Sequence, residues 1–518
     1  MPTHWIWIGI AAYTVIAGFT AYLSRTERSK NMSHYFLGDR KMGGFVSALS
    51  YSATTYSAFM LIGLAGLTYS GGVGALGFEL IYLCGVTLVL IFGPRFWAVG
   101  KKYGYVTPSE MLGHRYDNRG VAIVSALTSC LFLIPYAAVQ LAGVGYLVSG
   151  MTDGAMSFTT GTLIATILAI VFAIVAGLRS VAWTDSLQAI IMIVSATFVV
   201  VLVINHLGGL GSFFDQLSTE HPGTLSVPGN GFFNFSTFLG LTLPWLFFSI
   251  SNPQVSQRLY SPRSLKQLRQ MLLGFLIFGF IYTLVSVLWG FAAFMKFPNL
   301  ETGDLATPML LSSDIIPPLA GVVVMVGVMA AAVSTIDSIM LTLSSMLARD
   351  VVGGFKPAMS ERRQLTVGKF VLPVIALLAY LFAQLELDLI AVLSVSASAG
   401  LLVLVPPTVG TFFWRRGSAA GVLTSIIGAG TLVFILELTG TKLLGQGSGV
   451  WGLALSCVLF IGVSLLTRAP EQRATEFLTF SRSELARHRC IRRRLFCGRS
   501  FHLAGGFAHA QRTDKPDY

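Results

Sequence analysis

A short polar cluster lies inside an apolar run of the sequence, in the segment AAAVSTIDSIM at residues 331–341. On a helix that advances about 100° per residue, its side chains fall on one side, within an arc of about 160°. The residues of this arc are Ala331, Ser334, Thr335, Asp337 and Ser338. An unpaired ionised carboxylate in hydrocarbon costs several kcal/mol, so we expect Asp337 to face a cavity, a cation or a partner, or to be protonated and hydrogen-bonded.

The ligand chemistry of this cluster favours sodium over a transition metal, because hydroxyl, carbonyl and carboxylate oxygens without thiolates or clustered histidines suit a hard cation. Lys and Arg are absent from the central parts of the apolar stretches, which argues against a buried salt bridge with Asp337. A second acid, Asp185, lies in GLRSVAWTDSLQAIIMI. It suits either a helix cap or a place on an ion path, and spacing alone does not distinguish the two.

The chain that positions these residues has 518 residues, of which 54% are hydrophobic and 11% charged. Soluble domains carry roughly 25% charged residues, so this composition indicates an integral membrane protein. Apolar stretches of about 18 or more residues, each long enough to cross a ~30 Å hydrocarbon core, occur roughly thirteen times. Their approximate bounds are 4–24, 43–69, 75–98, 121–149, 156–177, 183–206, 232–253, 271–296, 316–348, 366–384, 388–414, 418–439 and 449–467.

The fold class is all-α, because the runs are continuously apolar rather than alternating, and glycine is frequent, as it is in membrane helices. Residues 1–467 are expected to form one transmembrane domain, and residues 468–518 a basic cytoplasmic tail. The first span follows MPTH and leads into RTERSK without a small-residue cleavage site, which favours a retained helix over a signal peptide.

The distribution of Lys and Arg predicts the orientation in the membrane. If the N-terminus lies outside, the external loops contain only two Lys or Arg residues, Lys296 and Lys442. The basic set of loops contains RTERSK, GPRFWAVGKKYG, GLRS, QRLYSPRSLKQLR, ARDVVGGFKPAMSERR and WRR. Basic loops face the cytoplasm, so we predict a multi-pass plasma-membrane protein with the N-terminus outside and the C-terminus inside.

The net charge of +12 needs no nucleic-acid partner, since part of it lies in the tail, which includes RHRCIRRRLFCGR. This tail is expected to be mostly disordered and solvated, with contact to anionic lipid headgroups as the alternative. Three of the five cysteines lie in apolar spans and two in the tail, so we expect no structural disulfide.

Two spans carry polar or helix-breaking interruptions, LSYSATTYSAF at residues 49–59 and PWLFFSISNPQ at residues 244–254. They are the second and seventh spans, five helices apart, as in transporters built from two inverted repeats with discontinuous helices at the binding site. Ser and Thr bonded to their own i−4 carbonyl offer a purely structural alternative for either segment. The longest external loop, residues 207–231, is too short for a soluble catalytic domain, so the chain is not expected to be an enzyme.

Four motifs in order resemble the sodium/solute symporter family: HYFLGDRKMGGFVSALSYSATTYSAF, VAWTDSLQ, NPQVSQRLYSPRSL and AAAVSTIDSIMLTLSSMLARDV. The resemblance spans nearly the whole chain. It implies a leucine-transporter-type fold of two inverted five-helix repeats, here helices 2–6 and 7–11.

The resemblance also implies a sodium site, with backbone carbonyls from the broken second helix and oxygens of the ninth. The matching positions are the carbonyls of Ala53, Tyr56 and Ala331 and the hydroxyls of Ser334 and Thr335.

Some members have a further sodium site nearer the cytoplasm, which matches Asp185, Ser334, Asp337 and Ser338 here. Where those members have serine, this chain has Asp337, so the second site is expected to bind sodium more tightly, to take a proton, or to serve only as an exit path. In proline-transporting relatives the position of Thr55 is an aspartate, which puts proline-type coupling in doubt.

The resemblance places the solute between helices 2, 4, 7 and 11. The residues expected to line this site, each of which could equally serve packing, are Phe59, Met60, Tyr136, Gln140 and Trp245. Sugar-transporting members have polar residues where this chain has Phe59 and Met60, and an unmade buried hydrogen bond costs ~1–3 kcal/mol, so sugar is disfavoured.

The segments YFLGDRKMGG and IPYAAVQLAG are most similar to the pantothenate and monocarboxylate branches. We therefore expect sodium-coupled import of a small carboxylate. The alternatives are a proline-like amino-acid symporter, proton-coupled transport and, more remotely, a membrane sensor. The sequence does not determine the solute, the sodium stoichiometry or the oligomeric state.

Overall fold

The computed structural model describes residues 2–24, 31–386 and 390–501; within helices, the side chains of residues 21, 24, 175–177, 179, 180, 391 and 488–501 are outside this description. The described chain is all-helical and contains no β-strand. Its α-helices, in chain order, are α1 (Thr3–Ser24), α2 (Met32–Leu37), α3 (Gly44–Thr55), α4 (Ala65–Gly71), α5 (Gly74–Val86), α6 (Leu88–Tyr103), α7 (Pro108–Arg115), α8 (Arg119–Met151), α9 (Phe158–His206), α10 (Gly209–Glu220), α11 (Phe235–Ser251), α12 (Pro253–Ser256), α13 (Leu265–Lys296), α14 (Ala306–Leu311), α15 (Pro318–Met346), α16 (Gly353–Phe355), α17 (Glu361–Ala383), α18 (Ile390–Leu401), α19 (Val405–Phe413), α20 (Ala419–Thr439), α21 (Ser448–Leu466) and α22 (Glu471–Phe501).

Nine helices of the described chain are long and apolar enough to cross a membrane, or ten when one bent pair is taken as a single span. Three further predicted spans coincide with α1, with Phe158–Ile174 of α9, and with α11. Each predicted span therefore has a helix at its position, but the count of thirteen crossings stays a prediction.

The bent pair contains the first predicted interruption. Helix α3 ends at Thr55, Tyr56 has non-helical backbone angles, and a π-helix follows at Phe59–Leu64. The segments Gly44–Thr55 and Phe59–Gly71 meet at an angle of 51°. The polar residues of this stretch thus mark a true break in a membrane helix.

The second interruption is also a break. Helix α11 ends at Ser251, Asn252 is extended, and Pro253 starts the short α12, where its missing N–H costs no hydrogen bond. A 3₁₀ turn at Gln257–Tyr260 follows and is buried. The chain therefore turns inward after the break instead of leaving directly as a loop.

The C-terminal segment begins with a helix that contacts the bundle. Residues 471–501 form α22, and only 502–518 lie outside the described residues. Phe477 is fully buried, stacks on Tyr103 with ring centroids 5.9 Å apart, and contacts Phe412 at 5.8 Å. Arg473 lies 3.7 Å from Asp117. The apolar residues within EFLTF dock the helix on the bundle, which the basic overall composition of the tail obscured.

Close helix approach depends on glycine where α5 meets α11. A Cβ added to Gly85 would lie 2.1 Å from the backbone carbonyl oxygen of Leu246. Backbone atoms cannot yield as a flexible side chain does, so this contact is possible only without a side chain. Small residues at such crossings are the usual means by which membrane helices pack closely.

Replacing Gly85 by alanine is therefore expected to force α5 away from α11 and to destabilise the fold by about 1–3 kcal/mol, the usual cost of overpacking. The measurement is thermal unfolding of the purified protein in detergent. The matched control is Gly430→Ala in α20, because no heavy atom lies within 4 Å of the added Cβ. Equal melting temperatures for the two variants would contradict the close contact.

Candidate functional site

The carbonyls at the end of α3 form the first part of the site. The last four carbonyls of a helix have no partner inside that helix. Here one is satisfied locally, because the Tyr56 N–H donates to the Ser52 carbonyl at 2.7 Å. Across the bundle, the Thr335 hydroxyl donates to the carbonyls of Ala53 at 3.2 Å and Thr54 at 3.5 Å.

These oxygens have the spacing of a hard-cation site. Oxygen ligands at about 2.3–2.6 Å from an octahedral cation lie about 3.3–3.7 Å from one another. Sodium resembles calcium in size, and the Thr335 oxygen lies 3.2 and 3.5 Å from the two carbonyls. The three atoms are neutral oxygens of the type that a hard cation binds.

The other members of the predicted set lie around this point. Ser334 is 1% exposed, and its hydroxyl lies within reach of the Asp185 carboxyl. Ala331 is buried one turn before Thr335 on α15, and Tyr56 occupies the break. The structure thus brings the predicted elements together, while cation binding itself is not tested by the coordinates.

Asp185 lies in a second polar cluster, beside Ser50 in the middle of α3. Its carboxylate accepts from the Ser50 hydroxyl at 2.7 Å and from the Arg258 guanidinium at 3.3 Å. The guanidinium also donates to the hydroxyls of Ser50 and Ser338. One arginine therefore connects α3, α9 and α15.

Arg258 is a basic partner that the sequence analysis did not anticipate, since that analysis considered a buried salt bridge only for Asp337. Arg258 was assigned to a cytoplasmic loop, but it is only 5% exposed, because the 3₁₀ turn after α12 carries it back into the bundle. Asp185 lies inside α9, just after the start of the apolar span Val181–His206, and forms a buried ion pair with Arg258.

Asp337 lies beside this cluster without a partner of its own. It is 3% exposed, and its Oδ1 atom has no hydrogen bond in the described chain. Ser338, one residue on, lies 3.1 Å from the Thr54 hydroxyl. Because Arg258 compensates only one of two neighbouring carboxylates, Asp337 needs a proton or a cation.

The space beside Arg258 is narrow. A gap between Phe36, Gln254, Gln257, Arg258 and Thr342 holds about 10 Å³. This volume is at the lower limit of the roughly 10–15 Å³ that a single water molecule needs.

The predicted solute-lining residues lie in or beside an aromatic cluster next to the break that follows α3. The rings of Phe59 and Trp245 are 5.2 Å apart, Trp245 and Phe248 5.2 Å, and Tyr136 and Phe248 5.9 Å. The Gln140 amide donates weakly to the Tyr136 carbonyl at 3.5 Å, and its oxygen has no partner in the described chain.

Met60 is buried in the π-helix directly after Phe59. Its N–H donates to the Ser57 carbonyl at 3.1 Å. Its side chain has no hydrogen bond among the described residues, and packing is a sufficient role for it.

Three residues of this region were missed by the sequence analysis: Glu79 and Tyr82 on α5, and Phe248 on α11. Tyr82 contacts Trp245 at 6.3 Å and Phe248 at 5.7 Å between ring centroids. Glu79 interacts with Trp245 and is 1% exposed. An acid within the apolar stretch FELIY is the sequence signal that marks this region.

Comparison with known proteins extends over most of the chain. The family model "Sodium:solute symporter family" matches residues 35–429. The sodium/pantothenate symporter of Escherichia coli (strain K12) is 28% identical over 461 residues, covering 87% of this chain and 94% of the relative. The high-affinity proline transporter of Bacillus subtilis (strain 168) is 25% identical over 477 residues, covering 89% and 98%.

Among solved structures, a Na⁺-coupled sialic acid symporter in a substrate-bound outward-open state matches with a TM-score of 0.72 and 19% identity. The match covers 90% of this chain and 98% of that structure. At this identity the likeness establishes the fold and no detail of the site.

The buried ion pair gives a prediction for stability. Arg258→Met leaves the Asp185 carboxylate uncompensated in the bundle, so we expect a loss of about 3–5 kcal/mol. The double variant Arg258→Met with Asp185→Leu removes both charges and is expected to recover much of that loss. Thermal unfolding of the single and double variants measures the difference; equal losses in both would mean that the two side chains are not energetically coupled.

Proposed function

The chain belongs to the sodium:solute symporter family, and from this premise we propose that it imports a small organic solute together with sodium by alternating access. The observation that carries the proposal is the contact of the Thr335 hydroxyl with the carbonyls of Ala53 and Thr54 at the end of a broken membrane helix. Such oxygens can replace the water shell of a sodium ion.

The proposed main sodium site consists of the carbonyls of Ala53, Tyr56 and Ala331 and the hydroxyls of Ser334 and Thr335. Its support is the pair of contacts that the Thr335 hydroxyl makes with carbonyls at the end of α3. Because no water reaches such carbonyls in the bilayer, a bound ion would also satisfy backbone groups that the break leaves free.

The cycle follows from this placement. Helices 2–6 and 7–11 would form two inverted repeats that open alternately to each side, with the basic loops in the cytoplasm. A cytoplasm-negative potential is worth ~2.3 kcal/mol per charge per 100 mV, so each sodium ion can drive roughly 50-fold accumulation. Sodium and solute shift the equilibrium only by their different affinities for its states.

For the solute we propose a small carboxylate of the pantothenate or monocarboxylate type. The support is that two of the relatives are pantothenate symporters, from Escherichia coli and Haemophilus influenzae. Each match covers more than nine tenths of the relative's length. The anionic end would bind helix N-termini and exposed N–H groups near the break, with Tyr136 and Gln140. A proline-like amino acid is the alternative, since proline transporters are similar over a comparable length.

A proton-coupled cycle is the second candidate, and one observation favours it. Asp337 is buried with an oxygen that has no partner in the described chain, and Arg258 is already paired with Asp185. In such a place a carboxyl holds either a proton or a second sodium ion. The two candidates share the main site and differ only in what Asp337 carries.

The sodium site predicts an ion-specific stabilisation. Purified wild-type protein is expected to melt at a higher temperature in sodium than in potassium at equal ionic strength. Ser334→Ala with Thr335→Ala removes both hydroxyl ligands and is expected to abolish this difference. If wild-type protein melts at the same temperature in both ions at saturating concentration, the sodium site is wrong.

A matched pair of substitutions controls for the loss of two buried hydroxyls. Thr411→Ala with Ser425→Ala removes two fully buried hydroxyls outside the proposed site, which donate to carbonyls of their own helices. This control is expected to keep the sodium-specific shift, whatever its effect on basal stability.

Asp337 gives a separate prediction. Asp337→Asn keeps the shape and removes the charge, so the ratio of sodium to solute flux is expected to fall by about one ion per solute if Asp337 holds a second sodium ion. The measurement is paired isotope uptake into proteoliposomes at two external pH values. A changed pH dependence at constant sodium ratio would favour the proton, and an unchanged profile in both would assign Asp337 a structural role.

A further inference from the structure

A groove runs along the outside of the bundle where α1 lies against α9 and α15. It encloses about 280 Å³. The residues of α1 that line it recur every three or four positions from Trp5 to Ala17, so they occupy one face of the helix. The other walls are formed within residues 184–191 of α9 and 319–326 of α15. Three helices from distant parts of the chain thus share one elongated space.

The mouth of this groove faces the bilayer. Its rims carry apolar side chains that remain open in the folded chain: Ile8 is 55% exposed, Ile16 50%, Leu319 63% and Val323 42%. All three helices contain apolar spans, so these rims lie at the depth of the lipid tails. The groove is therefore reached from the membrane.

The lining offers little to a polar occupant. The few polar side chains lie toward the inner end and are engaged with the protein. The Gln188 amide N–H donates to the Tyr13 phenol at 2.8 Å, and the Thr184 hydroxyl donates to the Val181 carbonyl at 2.9 Å. Of these groups, the Gln188 amide oxygen alone has no hydrogen bond in the described chain. A buried water needs two to four polar partners, so water is a poor occupant.

The length of the groove matches one leaflet of the membrane. The stretch from Trp5 to Ala17 rises about 18 Å at 1.5 Å per residue, and half of the hydrocarbon core is about 15 Å thick. Trp5 lies in the first turn of α1, and Leu319 in the first turn of α15. The groove therefore begins near one membrane surface and ends near the middle of the bilayer, as an extended acyl chain does.

The inner end of the groove reaches the part of α9 that carries the buried ion pair. Thr184 directly precedes Asp185, and Gln188 follows it by about one turn. At the outer part, α1 approaches α15 closely, since a Cβ on Gly9 would lie 2.7 Å from the Val322 side chain. Whatever fills the groove thus contacts both α1 and the outer face of the helix that carries Asp185.

We propose that the groove binds one acyl chain of a phospholipid as a lasting part of the folded protein. The glycerol end of the chain lies at Trp5 and Leu319, and its methyl end at Ala17 and Thr184. Lipid tails are as apolar as the helices, so the attraction is van der Waals contact with three walls, which a chain on a convex helix face does not have. The site is separate from the sodium and solute sites.

The test uses phosphatidylethanolamine with a photoactivatable diazirine in one acyl chain, either near the glycerol or near the methyl end. The full-length protein is reconstituted with a trace of either probe in unlabelled phospholipid, irradiated, digested and mapped by mass spectrometry. The reference surface is the exposed face of α17 around Leu377 and Leu381, each 54% exposed. Labelling of the groove is expected to exceed that of the reference by about fivefold or more.

The two probes are expected to label opposite ends of the groove. A diazirine near the glycerol should insert around Trp5 and Leu319, and one near the methyl end around Ala17 and Thr184. This order follows from the direction of the groove and needs no variant.

Ala12→Phe is the informative variant, because Ala12 lines the groove and is exposed, so a larger side chain enters the groove without disturbing the core. Labelling of the groove is expected to fall by about tenfold, to the level of the reference surface. The matched control is Ala11→Phe, the same change at the neighbouring exposed position outside the lining, which is expected to keep the wild-type pattern.

Several outcomes overturn the proposal. Equal labelling of the groove and of α17 in wild-type protein means that the lipid there is ordinary and exchanging. Equal patterns for Ala12→Phe and Ala11→Phe mean that the label does not come from a chain in the groove. Crosslinks between two protein copies at the groove, in place of lipid, make a second copy the occupant. The wild-type ratio decides the question even if a variant fails to fold.

Discussion

The constraint on which the site depends is that backbone carbonyls inside a bilayer have no water to bind. A membrane helix can therefore break only where other groups satisfy the carbonyls that the break frees. At the end of α3, the Thr335 hydroxyl from α15 does this for Ala53 and Thr54. The oxygens that make the break tolerable are also of the type that suits a hard cation. The hydroxyl-rich turn that contributes to them lies in α15, which shares the highest buried fraction among the single-helix membrane-span candidates of the described chain.

Much of the architecture could be predicted from the sequence. A helix needs about 20 apolar residues to cross a bilayer, so the apolar runs mark the positions and lengths of the helices. The two breaks were also predictable, since Ser, Thr, Asn and Pro are rare in continuous apolar runs. Arg258 was not, because its neighbours QRLYSPRS have the composition of a cytoplasmic loop. Only the buried turn after α12 takes its guanidinium to Asp185. Side-chain partners set by tertiary contacts have no signature in local composition.

The two polar clusters differ in charge. The oxygens around Thr335 are neutral. Around Asp185, the guanidinium of Arg258 connects three helices, α3, α9 and α15. Asp337 lies between these arrangements with its charge uncompensated by any described side chain. The narrow gap beside Arg258 is also lined by Ser338 and Thr342 of α15. The contacts of Arg258 and of Thr335 with α15 and α3 are separated by about one turn of α15.

The docked tail extends this connection to the surface of the bundle. Phe477 of α22 packs at once on Tyr103 of α6 and near Phe412 of α19, residues that are distant in sequence. A rearrangement that shifts α6 relative to α19 must either break one of these contacts or carry the tail with it. By thermodynamic linkage, anything that binds, cuts or modifies α22 then acts on the balance between conformations of the whole protein. In this way α22 influences the balance between conformations, although none of the proposed ion or solute ligands lies on it.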